Sequence, residues 1–289
     1  MIDDSRFFVI GANGQLGTAL RKKYPKAQFA DKTELDITDR QSVESFDWSG
    51  ISTILNTAAF TNVDGAETPE GRVAAWKVNA SAVANLTRIC RAHDITLVHI
   101  SSDYVFDGTR EPHFESEDLS PLSVYGASKA AGESAATAWR KHYLLRTSWV
   151  VGEGKNFVAT MASLAERGVD PAVVADQWGR PTFTQDLAGA ALHLLFTGAP
   201  YGTYHVSNSG EVITWADLAR AVYTGTGHDA ARVSNTTTEE YFANAQVFAP
   251  RPANSALDLS KLIAAGFTPR DHRDALAEYL HQLGGARED

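Results

Sequence analysis

The sequence predicts an α/β fold in which a doubly wound parallel sheet is joined by a smaller C-terminal α/β lobe. Three observations carry this. Short, continuously apolar runs alternate with longer Ala-rich stretches through the first half, the pattern of βαβ units closing a parallel sheet covered on both faces. Gly11-Ala12-Asn13-Gly14-Gln15-Leu16-Gly17 follows the first apolar run directly and opens the first helical stretch, which makes the sheet one of the Rossmann type. The chain has 289 residues, enough for one large or two modest domains at roughly 150 residues each.

Taken in order, strands are expected at 7–10, 27–30, 51–55, 96–100 and 143–146, each too short and too continuously apolar for a surface helix. Helices are expected at 15–23, 40–46, 71–92 and 122–141, the last introduced by Ser120-Pro121 as N-cap and first-turn proline. After Trp149 the pattern is less regular, with a helix at 157–167, a strand at 172–175, a helix at 185–196, a strand at 203–206 and helices near 215–223 and 273–283. Residues 1–150 therefore read as a dinucleotide-binding domain to which 172–206 returns. Residues 151–289 read mainly as a substrate-binding lobe. The polar, Pro-flanked stretch 233–252 reads as surface loop and short helix bordering a ligand cleft.

Composition removes several classes of function. With 44% hydrophobic and 21% charged residues a full core is expected and global disorder is excluded. A net charge of −9 is the wrong sign for a surface that tracks phosphate backbones, so no nucleic-acid partner is expected. The single Cys90 cannot form an internal disulfide, the acidic start is not a signal peptide, and no apolar run approaches the roughly 18 residues of a membrane helix. A cytoplasmic protein without a membrane partner is the expectation.

The glycine turn is the cofactor signal. Gly11, Gly14 and Gly17, with Asn13, Gln15 and Leu16 between them, allow a tight turn, backbone N–H groups against a pyrophosphate, and close helix–strand packing. Substitution of Gly14 or Gly17 by Val is thus expected to weaken cofactor binding far more than folding. The Gly-x-x-Gly-x-x-Gly spacing points toward the short-chain dehydrogenase/reductases. Asp31, at the end of the second strand, is placed to meet the ribose hydroxyls of NADH, while Lys32 beside it suits the 2′-phosphate of NADPH, so the pair leaves the choice between them open. Asp36-Ile37 is similar to the pair that holds adenine in extended members of that group.

Tyr125 and Lys129 stand four residues apart, on one face of the helix expected at 122–141. Ser102 lies just beyond the strand at 96–100, where the carboxyl ends of parallel strands meet a ligand crevice. A phenol near its ordinary pKa of about 10 is a slow acid at neutral pH, and the Lys129 ammonium is expected to bring Tyr125 down.

At this point a specific resemblance emerges. Gly11-x-x-Gly14-x-x-Gly17, Asn56-Thr57-Ala58-Ala59-Phe60-Thr61-Asn62-Val63-Asp64, Ser102-Asp103-Tyr104-Val105-Phe106-Asp107-Gly108, Tyr125-x-x-x-Lys129, Arg146-Thr147-Ser148-Trp149 and Arg251-Pro252-x-Asn254-Ser255 occur in this order. Together they resemble the dTDP-4-dehydrorhamnose reductase family of the extended short-chain reductases. The resemblance implies NADPH- or NADH-dependent reduction of the 4-keto group of dTDP-4-dehydro-L-rhamnose to dTDP-L-rhamnose, for cell-surface polysaccharide. It implies that Ser102, where Thr is usual, bonds the substrate carbonyl, that Tyr125 protonates the sugar 4-oxygen, and that Lys129 tunes Tyr125 and holds the nicotinamide ribose. Ala58, Ala59 and Thr61 would border the cofactor, and Thr61, Val63, Tyr104 and Trp149 the sugar. Arg251 and Asn254 would close the cleft near the nucleotide diphosphate. The related 4,6-dehydratases carry Glu where this chain has Tyr104, and a phenol cannot replace that base, so dehydration is not expected.

His99 and His205 fall in strand patterns and read as structural, and Cys90 as core. Some family members use magnesium at a dimer contact; no carboxylate cluster here is assignable to it, and metal stays open, as does monomer against homodimer. A non-catalytic dinucleotide-binding regulatory subunit is the alternative from another class, and a reductase or epimerase of a different nucleotide sugar is the alternative within this one. The intact Ser102, Tyr125 and Lys129 favour an enzyme.

Overall fold

The computed structural model describes residues 4–285. The chain runs β1 (Phe7–Ile10), α1 (Gln15–Lys23), β2 (Gln28–Ala30), α2 (Arg40–Ser45), β3 (Thr53–Asn56), α3 (Pro69–Trp76), α4 (Ala82–Ala92), β4 (Thr96–Ser102), α5 (Val124–Thr137) and β5 (His142–Thr147). It continues through β6 (Val150–Val151), α6 (Phe157–Glu166), β7 (Ala172–Val174), β8 (Trp178–Gly179), β9 (Thr182–Phe183), α7 (Thr184–Thr197) and β10 (Gly202–His205). The last part holds β11 (Ile213–Thr214), α8 (Trp215–Gly225), β12 (Ser234–Thr236), α9 (Thr238–Phe242), α10 (Ser260–Ala264) and α11 (His272–Gly285).

Six strands form one parallel sheet in the order β2-β1-β3-β4-β5-β10. Because alternate side chains of a strand point to opposite faces, β1 divides its residues between two cores. Phe7 and Val9 pack with Leu20 of α1 and Leu187, Ala191 and Leu194 of α7, whereas Phe8 and Ile10 pack with Val83, Leu86 and Ile89 of α4. This is the two-sided burial that the continuous apolar runs imply. The strand order reverses between β1 and β3, and that switch point places the ends of both strands beside one crevice.

A separate core holds the smaller lobe, where Val158 and Met161 of α6 meet Leu218 and Val222 of α8 and Leu276 and Leu280 of α11. Its strands pair two by two: β7 with β12 and β6 with β9 in parallel, β8 with β11 antiparallel. Within the stretch 172–206, α7 packs on the main sheet and β10 joins it beside β5, while Val173 of β7 is part of the smaller lobe's core.

Two local expectations are corrected. Helix α5 starts at Val124 and its N-cap is Ser123, whose hydroxyl accepts the Gly126 N–H at 3.1 Å. Ser120 is engaged elsewhere, its hydroxyl accepting the Asp107 N–H and so fixing the loop before the helix. The helix expected at 71–92 runs from Pro69 with a π-helical turn at Lys77–Ser81. That turn presents Asn79, buried to 1%, whose amide bonds both the N–H and the carbonyl of Phe60 and the Ser128 hydroxyl. One side chain thereby ties the loop after β3 to α5. His99 and His205 are fully buried, and burial pushes both imidazoles down, so they stay neutral.

Candidate active site

A cleft of about 860 Å³ opens at the carboxyl ends of β1, β3 and β4 and extends to the smaller lobe. Gly11 forms its floor with φ +84°, and a Cβ there would stand 2.7 Å from the Ala58 nitrogen, so glycine alone fits the close approach of the two loops. Gly14 is the N-cap of α1 and has no side chain to bond the first-turn N–H groups, nor does that turn contain an acid. Those amides and the positive end of the helix are left for an anion. Asn13, Gln15 and Leu16 line the same wall, and the Gln15 Oε1 is buried without a hydrogen-bond partner among the described residues. Gly17 does not line it. A Cβ at Gly17 would meet the Gly11 carbonyl oxygen at 2.3 Å and the Ala12 carbonyl oxygen at 2.7 Å, so this glycine serves the packing of α1 on the turn.

Asp31 and Asp36 stand along the cleft with Lys32 and Ile37. The Asp31 Oδ1 accepts the Thr33 N–H and hydroxyl, both at 2.7 Å, and Asn13 donates to its Oδ2. These bonds, led by the Thr33 hydroxyl, hold the carboxyl down to about 2. Asp36 is held low in the same way by Thr38, and the Ile37 carbonyl accepts from Asn85. Across the floor, Ala58, Ala59, Thr61 and Val63 complete the edge supplied by the loop after β3.

Tyr125 and Lys129 project from α5 into this cleft, 9% and 2% exposed. The Lys129 Nζ donates to the Ile100 carbonyl of β4 at 2.7 Å. Burial brings its ammonium down to about 8, against a smaller upward pull from Glu133. Burial also pushes the Tyr125 phenol up to about 12, although a hydrogen bond with Ser102 draws it back. The expected lowering of Tyr125 by Lys129 is thus not what the geometry produces: desolvation outweighs the Ser102 hydrogen bond, and the cation is directed at a backbone carbonyl. Ser102 lies at the end of β4 with its hydroxyl donating to Asp103 Oδ1 at 2.9 Å and accepting the Tyr104 N–H at 3.2 Å. Tyr104 meets Tyr125 edge to face, centroids 5.5 Å apart, and its own phenol is pushed up by burial.

Trp149 closes the far end of the cleft beside Trp215. Neither Arg251 nor Asn254 reaches the lining. The Arg251 Nη2 bonds Asp64 Oδ2 at 2.8 Å, its Nη1 the Ala249 carbonyl, and the guanidinium covers the Phe242 ring, so it straps the segment after α9 to the loop after β3. Asn254 spends its Oδ1 on the Ala256 N–H, and its carbonyl meets His113. Asp103 and Trp215 line the cleft without having been singled out from the sequence. Asp103 carried a signal, lying between Ser102 and Tyr104. Trp215 had none, since its place depends on a fold-back that no local spacing encodes. Among the described residues, no group of three or more His, Cys, Asp and Glu is placed to hold a metal ion, and no helix is long and apolar enough to cross a membrane.

Comparison with known proteins extends along nearly the whole chain. The family model for the RmlD substrate binding domain matches residues 5–284. A dTDP-4-dehydrorhamnose reductase of Mycolicibacterium smegmatis is 38% identical over 98% of this chain and 88% of its own. Among solved structures, a dTDP-4-dehydrorhamnose reductase of Clostridium acetobutylicum superimposes with a TM-score of 0.88 at 36% identity, covering 96% of this chain and 99% of that one. The Bacillus anthracis enzyme, solved in complex with NADP, gives 0.87 at 34% identity over 96% and 98%. The chain belongs to the dTDP-4-dehydrorhamnose reductase family.

Proposed function

We propose that this chain reduces the 4-keto group of dTDP-4-dehydro-L-rhamnose to dTDP-L-rhamnose with NADPH or NADH. The observation that carries the reading is the meeting of Ser102, Tyr125 and Lys129 in the wall of the one cleft whose other end is the glycine turn. A dinucleotide fits that turn, because the uncapped, acid-free start of α1 offers N–H groups to a pyrophosphate. Asp31 and Lys32 would face the adenosine ribose, Asp36 and Ile37 the adenine, and Ala58, Ala59 and Thr61 the middle of the cofactor. The nicotinamide, when bound, supplies the hydride.

The remaining chemistry falls to the chain. Ketone reduction puts negative charge on the carbonyl oxygen, and an acid must meet it. Tyr125, raised to about 12, carries its proton at neutral pH and can give it to that oxygen. The Lys129 ammonium, which the Ile100 carbonyl anchors, would hold the nicotinamide ribose beside Tyr125. Ser102 would hold the oxygen in line with Tyr125 once its hydroxyl proton turns from Asp103 Oδ1 to the substrate. Thr61, Val63, Tyr104 and Trp149 would border the sugar. Tyr104, its phenol kept neutral by burial, offers no base for eliminating water. Residues 1–150, with the returning α7 and β10, would carry the cofactor and the rest of the chain the nucleotide sugar.

The test is incubation with NADPH or NADH and freshly generated dTDP-4-dehydro-L-rhamnose. Loss of the reduced-nicotinamide absorbance with formation of dTDP-L-rhamnose supports the reading. Tight dinucleotide binding without turnover of this substrate would favour the regulatory subunit instead.

A further inference from the structure

Two half-buried indoles stack at the sugar end of the cleft, and only one of them lies in a motif that the family resemblance interprets. The Trp149 and Trp215 rings have centroids 3.7 Å apart and planes 17° from parallel, and both line the cleft. Trp149 occupies the corner between β5 and β6 with φ +46°, a left-handed conformation that a bulky side chain rarely adopts. Such strain persists only where the surroundings over-determine it.

Those surroundings come from the smaller lobe. Gly179 of β8 leaves room for the indole, since a Cβ there would stand 2.8 Å from Trp149 Cε2 and 2.9 Å from Cζ2. Strand β8 pairs antiparallel with β11, with Gly179 opposite Ile213 and Trp178 opposite Thr214. Trp215 follows β11 as the first residue of α8, a helix start fixed by the reciprocal capping of Thr214 and Asp217. Phe157 of α6 packs against Trp215 at 4.6 Å between centroids. A two-residue ribbon and a capped helix therefore present one flat ring to another.

We propose that Trp215 is a positioning residue for substrate: it holds the Trp149 indole in its strained pose so that Trp149 presents its ring to the sugar of the nucleotide-sugar substrate. This rests on the reading of the cleft given above. Trp215 acts on binding through Trp149 and has no part in proton transfer, which lies with Tyr125 on α5. Removing it frees Trp149 to relax, so the sugar nucleotide loses its wall while the dinucleotide end, built from the turn after β1, is untouched.

The experiment compares wild type with Trp215→Ala, Trp215→Phe and Gly179→Ala in the reductase assay. Calorimetric binding of dTDP-L-rhamnose and of dinucleotide gives readouts that do not need turnover. Trp215→Ala and Gly179→Ala should each raise the sugar-nucleotide KM, and weaken dTDP-L-rhamnose binding, at least fivefold, with kcat and dinucleotide affinity within threefold of wild type. Trp215→Phe, which still offers a flat ring, should bring KM back to within threefold. The stacked pair should also give a far-ultraviolet exciton couplet in circular dichroism that disappears in Trp215→Phe and Trp149→Phe alike. A sugar-nucleotide effect below fivefold in Gly179→Ala, equal loss of dinucleotide binding, or no rescue by Phe overturns the proposal. If Trp215→Ala does not fold, Gly179→Ala and Trp215→Phe decide it. Absence of turnover in the wild type would instead count against the reductase reading.

Discussion

Ser102 gives its single hydroxyl proton to Asp103 Oδ1 at 2.9 Å, so the hydroxyl at the tip of β4 is committed to its own neighbour. Asp103 is 3% exposed, and its Oδ2 finds no hydrogen-bond partner among the described residues. Burial pushes this carboxyl up to about 6, although the Ser255 and Ser102 hydroxyls draw it back. Its folded pKa thus lies above its ordinary 3.8. The native state binds the proton more tightly than the unfolded chain, and that stability is complete below the unfolded pKa and lost as pH rises through about 6. Asp103→Asn removes the titration. Its stability relative to wild type should improve by about 3 kcal/mol between about pH 3 and pH 8, two units at roughly 1.4 kcal/mol each. Urea unfolding of both proteins across that range checks it, and a difference that does not change with pH would rule it out.

Tyr125→Phe should lower kcat by at least about a hundredfold, the usual worth of a general acid, while dinucleotide still binds within about twofold. The ring's packing against Tyr104 is retained and only the transferable proton is lost. A variant that keeps more than about a tenth of wild-type turnover removes Tyr125 as the acid. The partner lysine gives a pH signature. Its ammonium is lost as pH rises through about 8 rather than the ordinary 10.5, so kcat should fall on the alkaline side with a midpoint near 8. Lys129→Arg keeps its charge beyond that pH and should flatten the limb at a lower plateau. An alkaline limb unaltered by this change would belong to another group.

The glycines of the first turn should separate binding from folding. A Cβ at Gly14 would meet only the Gly11 carbonyl oxygen, at 3.3 Å, and the backbone there is extended, so Gly14→Val should fold normally and lose dinucleotide affinity tenfold or more. At Gly17 the new Cβ meets backbone carbonyls that cannot swing aside, and Gly17→Val should cost about 3 kcal/mol or more of stability. This departs from the sequence expectation that both positions act mainly on the cofactor. Thermal unfolding together with fluorescence titration of NADPH distinguishes the two, and equal unfolding behaviour would refute the distinction.

What could be read from the chain alone follows the range of the interactions concerned. The glycine turn, the Tyr125–Lys129 pair and the Asp36-Ile37 pair are local, formed by residues a few positions apart, and the sequence exposes them. Arg251 could not be read this way. A guanidinium near a cleft suits a diphosphate, yet this one is held by Asp64, 187 residues earlier in the chain, and only the fold reveals the competitor. Tyr125 shows the same limit in energy rather than position, since its helical neighbour predicts a lowered pKa and the burial that reverses it depends on the whole wall of the cleft. The start of α5 had two serines in reach, and Ser123 caps because the loop bonds of Ser120 are already made.

Cofactor choice turns on Asp31 and Lys32, which line the same cleft with opposite charges. Thr33 and Asn13 occupy three of the roughly four acceptor positions of the Asp31 carboxylate, which leaves room for one ribose hydroxyl. The same bonds keep it ionised down to about pH 2, so it repels a 2′-phosphate throughout the working range. Lys32 attracts that phosphate from the adjacent position, and two opposed, solvent-screened charges leave a modest balance. Both NADH and NADPH should therefore be accepted, with kcat/KM values within about a hundredfold of each other, equivalent to under about 2.7 kcal/mol. Asp31→Ala should move the ratio at least threefold toward NADPH, and Lys32→Ala should move it toward NADH. If the ratio stays fixed in Asp31→Ala, the carboxylate serves only to hold Thr33 and Asn13 in their turns, and the discrimination must come from elsewhere in the cleft.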